Sequence, residues 1–477
     1  MKLVSVEFAV FAGVLLTLYY RIPGHRQWKL LLLAGSLFTL RSGWRNLCFL
    51  LATSGSTFLA VGKMEKNKQA FEKSRARKKN RGILALCLGL NFGLLLWCKA
   101  SLLTGFGLLP LGISFYTFQT MGYAVDVCRG TASGEKNFFR FHLFASYFPL
   151  MVQGPICRYP QLAPHFFGVH TYDEKQVSFG LQRMLWGYFK KLVVADRLAP
   201  VVMALHSVEN SGAAFFLMSL CYAIEIYGDF TGGIDVVLGL SQALGIELPE
   251  NFQLPFSAKS VAEYWRRWHI TLGEWMKRYI FYPISVSRPM LRLGKWMKRR
   301  WGFPGNRLPV YAATIVTWIA TGLWHGLTPN FLLWGMLNCA LILLEQQIPA
   351  RLRLPEGKWV DRFRMVRTFL LMNLIRVCDL YPDPGDYFRA MTAGANVAAL
   401  TGNIPLKPED YGVLAGGIVL MAAVSRFQHQ GKSVRRWLWR KPDWVRWGLL
   451  FGLFLLILLM GRYGAGYEAT NFIYNQF

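Results

Sequence analysis

Apolar runs close to the length that crosses a bilayer recur from one end of this 477-residue chain to the other, at 3–20, 29–40, 46–62, 82–98, 106–124, 138–153, 177–205, 213–227, 230–245, 308–324, 328–345, 365–379, 411–425 and 447–461. A lipid-spanning helix needs about 20 mostly apolar residues, because every backbone polar group must find its hydrogen bond within the segment. Several of the runs are too short or too polar to span alone. The pattern therefore predicts an all-α, polytopic integral membrane bundle of about 11–12 transmembrane helices plus re-entrant or interfacial helices. No internal repeat is visible. The first run carries neither a basic leader nor a small-residue cleavage site, so it is expected to be a retained span.

Composition supports the same class, with 53% hydrophobic and 17% charged residues. The net charge of +28 comes with 35 Phe and 17 Trp, which excludes a disordered or nucleic-acid-binding chain. Eight cysteines (Cys48, Cys87, Cys98, Cys128, Cys157, Cys221, Cys339, Cys378) are scattered through apolar stretches, with no CxxC pair and no Cys/His cluster at metal spacing. Neither a disulfide scaffold nor a metal site is expected. The segments 63–81, 277–307, 351–367 and 426–446 hold 31 of the 54 Lys and Arg. By the positive-inside rule they are cytoplasmic loops, which places both termini outside a bacterial cytoplasmic (inner) membrane. These cations either only fix topology or also attract anionic lipid headgroups and polyphosphate-bearing substrates; charge alone does not choose.

One stretch is neither span nor simple loop. Residues 258–280 carry Glu263, Arg266, Arg267, Glu274, Lys277 and Arg278, too many charges to cross a bilayer. At helical spacing these fall mainly on one face and Trp265, Trp268, His269, Leu272 and Met276 on the other, which predicts an amphipathic helix with tryptophans at interfacial depth. His269 on such a face reads either as a satisfied core side chain or as a functional group. A second histidine, His325, ends an apolar run in WIATGLWHG (318–326). An ionisable side chain at membrane depth marks a functional candidate, the alternative being an interhelical hydrogen-bond partner. Gly322 and Gly326 would let another backbone or a substrate approach. Asp229 and Asp235, in GDFTGGID, read as caps or joints of half-helices around a re-entrant turn. Asn251, between Pro249 and Pro255, reads first as turn chemistry. Arg158 near a helix end would meet a phosphate or snorkel.

At this point the residues resemble a known family, the membrane-bound O-acyltransferases, and within it the bacterial alginate O-acetyltransferase-like branch. The matching pieces are LPLGISFYTFQTMGYAVDVCRG (109–130), YFPLMVQGPICRYPQL (147–162), GYFKKLVVADRLAP (187–200), YAIEIYGDFTGGIDVVLGL (222–240), PENFQLPFSAKSVAEYWRRWHITLGEWMKRYIFYPI (249–284), GLWHG (322–326) and the terminal GYEATNFIYNQF. Two departures stand out: Lys277-Arg278-Tyr279 replaces the branch's Arg-Asp-Tyr, and RVCDLYPDPG precedes Asp386-Tyr387-Phe388-Arg389-Ala390 where an FFRA-like segment is usual.

The resemblance implies a helical bundle around a central funnel, with N-terminal helices over 1–125, a catalytic core holding both histidines over 126–345, and C-terminal helices and tail over 346–477. It implies that His325 is catalytic, with His269 the second histidine. It further suggests that Asn251, Trp265, Trp268, Trp324, Gln153, Arg158 and Asp229 are substrate-binding. The expected reaction is transfer of an acetyl group from cytoplasmic acetyl-CoA to a hydroxyl of an extracytoplasmic polysaccharide or cell-wall polymer. Transfer would be direct or through an SGNH-type partner, with no bound cofactor and no nucleic acid. Neutral His325 would act as general base and His269 as an oxyanion-stabilising or orienting group. No GxSxG nucleophile is present, so direct transfer is favoured over a serine acyl-enzyme, and a thioester relay through Cys157 or Cys339 is a further alternative. Two rivals stand beside this reading: D-alanyl transfer to teichoic acid from a carrier-protein thioester, and a polysaccharide exporter without chemistry.

Overall fold

The computed structural model describes residues 2–302, 307–347, 357–397, 400 and 404–463. The terminal GYEATNFIYNQF lies outside the described residues, as do parts of the basic segments 277–307 and 351–367. The described chain is helical, with a single isolated antiparallel bridge between Phe252 and Trp268.

In chain order the helices are α1 (Val6–Arg21), α2 (Gln27–Arg41), α3 (Trp44–Ala70), α4 (Lys73–Leu103), α5 (Ile113–Arg129), α6 (Phe138–Ser146), α7 (Phe148–Gln153), α8 (Tyr159–Phe167), α9 (Glu174–Tyr188), α10 (Asp196–His206) and α11 (Gly212–Ala243). They continue with α12 (Val261–Arg267), α13 (Ile270–Met276), α14 (Tyr282–Ser285), α15 (Arg288–Trp301), α16 (Leu308–His325), α17 (Pro329–Gln347), α18 (Lys358–Arg376), α19 (Pro384–Thr392), α20 (Pro408–His429), α21 (Val434–Trp439) and α22 (Asp443–Met460). π-Helical turns at Phe189–Ala195 and Lys277–Phe281 join α9 to α10 and α13 to α14. Among the described residues, α3, α4, α11, α20 and α22 are long and apolar enough to cross a membrane. The protein is a multi-pass, all-α membrane protein.

Several expected boundaries move. The basic stretch 63–81 is helix rather than loop: α3 ends at Ala70, α4 starts at Lys73, and only Phe71 and Glu72 turn the chain. Lys and Arg are good helix formers, so the helices continue past their apolar limit. The run 138–153 breaks at Tyr147, where Pro149 sits in the first turn of α7 and cannot continue α6. The runs 213–227 and 230–245 form one 32-residue helix, α11, so no re-entrant turn exists at GDFTGGID. Its two aspartates are held by cations instead: Asp229 by Lys191 at 2.5 Å and Asp235 by Arg183 at 2.8 Å. Ion pairing satisfies both carboxylates while the helix runs on, so neither is needed as a cap.

The chain divides into two compact units. The described part of the first comprises residues 2–188 and 232–249. Its core is aromatic, with Phe148 packed against Phe38 at 5.1 Å and Phe11 at 5.2 Å between ring centroids. Gly112 has φ +73, and a Cβ there would stand 2.6 Å from the Met151 carbonyl, so α5 begins only after this contact. The second unit comprises residues 189–231 and the described part of 250–470. Lys191, itself buried, binds both Asp196 at 2.8 Å and Asp229, and Arg197 binds Asp410 at 2.8 Å. Buried charges of this kind persist only when paired.

Candidate active site

In the second unit Asn251 to Gln253 run extended beside residues 267–270. The Gln253 N–H donates to the Arg267 carbonyl at 2.9 Å and the Ile270 N–H to the Asn251 carbonyl at 3.0 Å. α12 is capped by Ser260, whose hydroxyl accepts from the Glu263 N–H, and stops at Arg267. His269 then adopts a left-handed conformation (φ 48, ψ 50) before α13 begins. A non-glycine residue there costs about 1–3 kcal/mol, offset by the surrounding backbone bonds.

The expected continuous amphipathic helix over 258–280 is therefore two short helices with His269 at the break. Trp268 is buried inside the protein: it is 1% exposed, stacked on Tyr264 at 5.7 Å and edge-on to Phe252 at 4.9 Å. The strand-like pairing with 251–253 replaces the helical hydrogen bonds and turns His269 inward, which a face count on an ideal helix does not foresee.

His269 is 2% and His325 7% exposed. The His269 ring lies 5.0 Å from Phe230 and 5.7 Å from Trp324, and its Nδ1 is 3.3 Å from Asn251 Oδ1. His325 closes α16, its ring 4.9 Å from Trp324, 4.8 Å from Trp334 and stacked on Phe331 at 6.2 Å. Trp324 thus touches both imidazoles. Trp265 donates from Nε1 to Asn338 Oδ1 at 3.0 Å and packs edge-on against Trp334 at 5.4 Å. The glycines flanking His325 admit the following helix: a Cβ on Gly322 would stand 2.6 Å from the Phe331 carbonyl, and one on Gly326 would collide with the Phe331 ring.

The structure thus brings together six of the residues singled out in sequence, His269, His325, Asn251, Trp265, Trp268 and Trp324. Asp229 is committed to Lys191. Gln153 and Arg158 belong to the first unit. Gln153 is fully buried against Gly233, where a Cβ would meet its amide at 2.6 Å, and among the described residues neither amide heavy atom has a hydrogen-bond partner. Arg158 is partly exposed at the start of α8. Cys157 is buried with its Sγ facing the Pro155 carbonyl at 3.7 Å, and Cys339 is buried within α17.

Arg376, at the end of α18, was not singled out. Its guanidinium lies over the Trp268 ring at 4.6 Å and within 6.0 Å of the Trp265 and Trp334 rings, with Asp379 at 4.0 Å. An arginine inside the run 365–379 was the available signal, and it opens the RVCDLYPDPG departure. Trp334 and Asn338, on α17, had no local signal. Chemically the cluster offers two buried imidazoles in an aromatic setting, side chains of the type that accept and give protons near neutral pH. Among the described residues no three His, Cys, Asp or Glu side chains converge to hold a metal.

Residues 111–299 match the family model described as MBOAT, membrane-bound O-acyltransferase family. That match includes Asn251 and His269 and ends before His325. The chain is 31% identical over 385 residues to the "Probable alginate O-acetylase AlgI" of Pseudomonas aeruginosa, an alignment covering 76% of this chain and 69% of the relative. It is 28% identical over 261 residues to the peptidoglycan O-acetyltransferase of Helicobacter pylori, covering 48% and 46% of the two chains. It is 26% identical over 268 residues to the teichoic acid D-alanyltransferase of Bacillus subtilis, covering 54% and 65%. With its helical membrane architecture and this breadth of similarity, the chain belongs to the membrane-bound O-acyltransferase family and is an acyltransferase.

Proposed function

We propose that the protein transfers an acetyl group from cytoplasmic acetyl-CoA across the membrane to a hydroxyl of an extracytoplasmic polysaccharide or cell-wall polymer, directly or through an SGNH-type partner. The observation that carries this reading is the pair of buried imidazoles sharing Trp324. The stronger similarity to an alginate O-acetylase than to a D-alanyltransferase supports acetyl over D-alanyl.

Neutral His325 takes the proton of the acceptor hydroxyl while its oxygen attacks the thioester carbonyl. The tetrahedral intermediate expels the thiolate, which recovers the proton from the His325 imidazolium. General-base assistance of this kind contributes roughly 10²–10⁴-fold. His269 orients the reacting groups. Asn251, Trp265, Trp268 and Trp324 form the wall they meet. The core over 126–345 carries the chemistry, flanked by helices over 1–125 and 346–477. The basic segments face the cytoplasm of a bacterial inner membrane, where they attract anionic lipids and the polyphosphate of the donor.

The test supplies the purified protein, in vesicles, with acetyl-CoA or with a D-alanyl-charged carrier protein. Acetyl transfer to polymer or partner that disappears in His325→Ala, at unchanged protein level, is the expected result. Acylation only from the charged carrier favours the teichoic-acid reaction, and undiminished acylation in His325→Ala overturns the mechanism.

A further inference from the structure

The hydrogen bonds around Asn251 fix the protonation pattern of His269. The Thr271 backbone N–H lies 3.1 Å from Asn251 Oδ1. A backbone N–H only donates, so the atom it faces is the amide's oxygen and not its nitrogen. The Thr271 hydroxyl donates to the same oxygen at 3.0 Å. His269 Nδ1 lies 3.3 Å from this oxygen, which has no proton to give. The imidazole must therefore donate, with its proton on Nδ1. In the neutral ring Nε2 then carries the lone pair.

The arrangement is rigidly held. Asn251 is fully buried, its own carbonyl accepts from the Ile270 N–H at 3.0 Å, and Phe252 bridges to Trp268. His269 sits in its left-handed conformation between these bonds. An asparagine serving turn chemistry alone would keep its side chain bonded to its own loop. Here Oδ1 instead collects three donors from residues 18 to 20 positions ahead, all on the far side of α12.

We propose that Asn251 is a positioning residue that locks His269 in the Nδ1–H tautomer, so that His269 faces the substrates as a hydrogen-bond acceptor through Nε2. The proposal rests on the acyl-transfer reading and deepens it. A neutral His269 whose single N–H is spent on Asn251 does not donate to a developing oxyanion, so of its two expected roles orientation is the one retained. The reacting hydroxyl has one proton and gives it to His325. The group aligned by Nε2 is therefore another O–H or N–H of a bound substrate, a neighbouring hydroxyl of the acceptor or an amide N–H of the donor's arm.

The test is ¹⁵N NMR of the full chain labelled at histidine in lipid nanodiscs, with His269→Gln identifying the His269 signals. The expected spectrum has a protonated Nδ1 and an unprotonated, acceptor-type Nε2. Asn251→Asp supplies an equivalent acceptor and keeps the proton on Nδ1. Asn251→Ala releases the ring into mixed tautomers and loses roughly 10²-fold or more in kcat/KM, less than the about 10⁴-fold in kcat that follows when a general base is left in the wrong tautomer, because His269 orients and does not take the proton. A rise in the KM of the acceptor assigns the aligned group to it, and a rise in that of acetyl-CoA assigns it to the donor. A wild-type Nε2–H signal overturns the proposal, as does an Asn251→Ala protein with unchanged tautomer and kinetics. Should Asn251→Ala fail to fold, the wild-type and Asn251→Asp spectra carry the decision. Because the spectrum needs no substrate, a protein inactive with both donors would sink the acyl-transfer reading while leaving the tautomer assignment standing.

Discussion

His325 and Arg376 occupy the same aromatic wall, through Trp334, yet their removal should be felt in different measurements. His325 ends its helix with its ring against Trp324, Phe331 and Trp334, and His325→Gln keeps a polar side chain of similar reach there, so it should leave stability within about 0.5–1.5 kcal/mol while lowering turnover roughly 10²–10⁴-fold. Arg376 is a buried cation whose carboxylate neighbour, Asp379, is also largely buried. Arg376→Ala leaves that carboxylate uncompensated and should cost about 3–5 kcal/mol in thermal unfolding, whereas Arg376→Leu combined with Asp379→Leu should recover much of the loss. Equal stability of the single and double variants would show that the two side chains are not coupled. The contrast also marks what sequence reading reaches at this scale. WRRWH and GLWHG hold their histidines and tryptophans within a few positions of one another, so local reading found them. Arg376 comes within reach of Trp268 only because α18 returns to α12 more than a hundred positions later, and no spacing rule reports that.

Between elements, the position of His325 depends on how closely α16 approaches α17. Gly322 meets the Phe331 carbonyl and Gly335 the Trp318 carbonyl, each at 2.6 Å from where a Cβ would stand. Gly322→Ala must push the helices apart, with an expected cost of about 1–3 kcal/mol and a loss of transfer activity as His325 is displaced. Gly412→Ala, on α20, has nothing within 4 Å of the new methyl and should stay within about 0.5 kcal/mol. Melting temperatures and transfer rates of the two variants give the comparison, and equal effects would remove the close approach as their cause. Most helices were legible because apolar runs longer than a turn have few alternatives in lipid. The breaks were not. α11 reads as two segments because Gly228, Asp229, Gly232 and Gly233 look like a joint, but Lys191 and Arg183 neutralise the aspartates and the helix continues. The His269 region reads as one helix because its pairing partner, 251–253, lies outside any helical window.

At the scale of the whole chain, orientation follows from where the cations sit on α3 and α4. At about 1.5 Å per residue, the 31 residues of α4 extend about 46 Å, well beyond the ~30 Å hydrocarbon layer. The surplus lies at the end joined to α3 through Phe71 and Glu72, where residues 63–81 hold nine Lys and Arg, while the opposite connection, 104–112, holds no charged residue at all. Moving the basic end across the membrane would require transferring those cations against the retention that fixes topology in bacteria, so this end should stay cytoplasmic and the 104–112 connection should face outward. A reporter active only in the cytoplasm, inserted between Phe71 and Glu72, is expected to be active, and one active only after export should be active within 104–112 and silent at the first site. The opposite pattern would reverse the path of the donor. The thioester would then have to reach His325 from the face that bears fewer cations, and the basic segments could no longer be what gathers its phosphates.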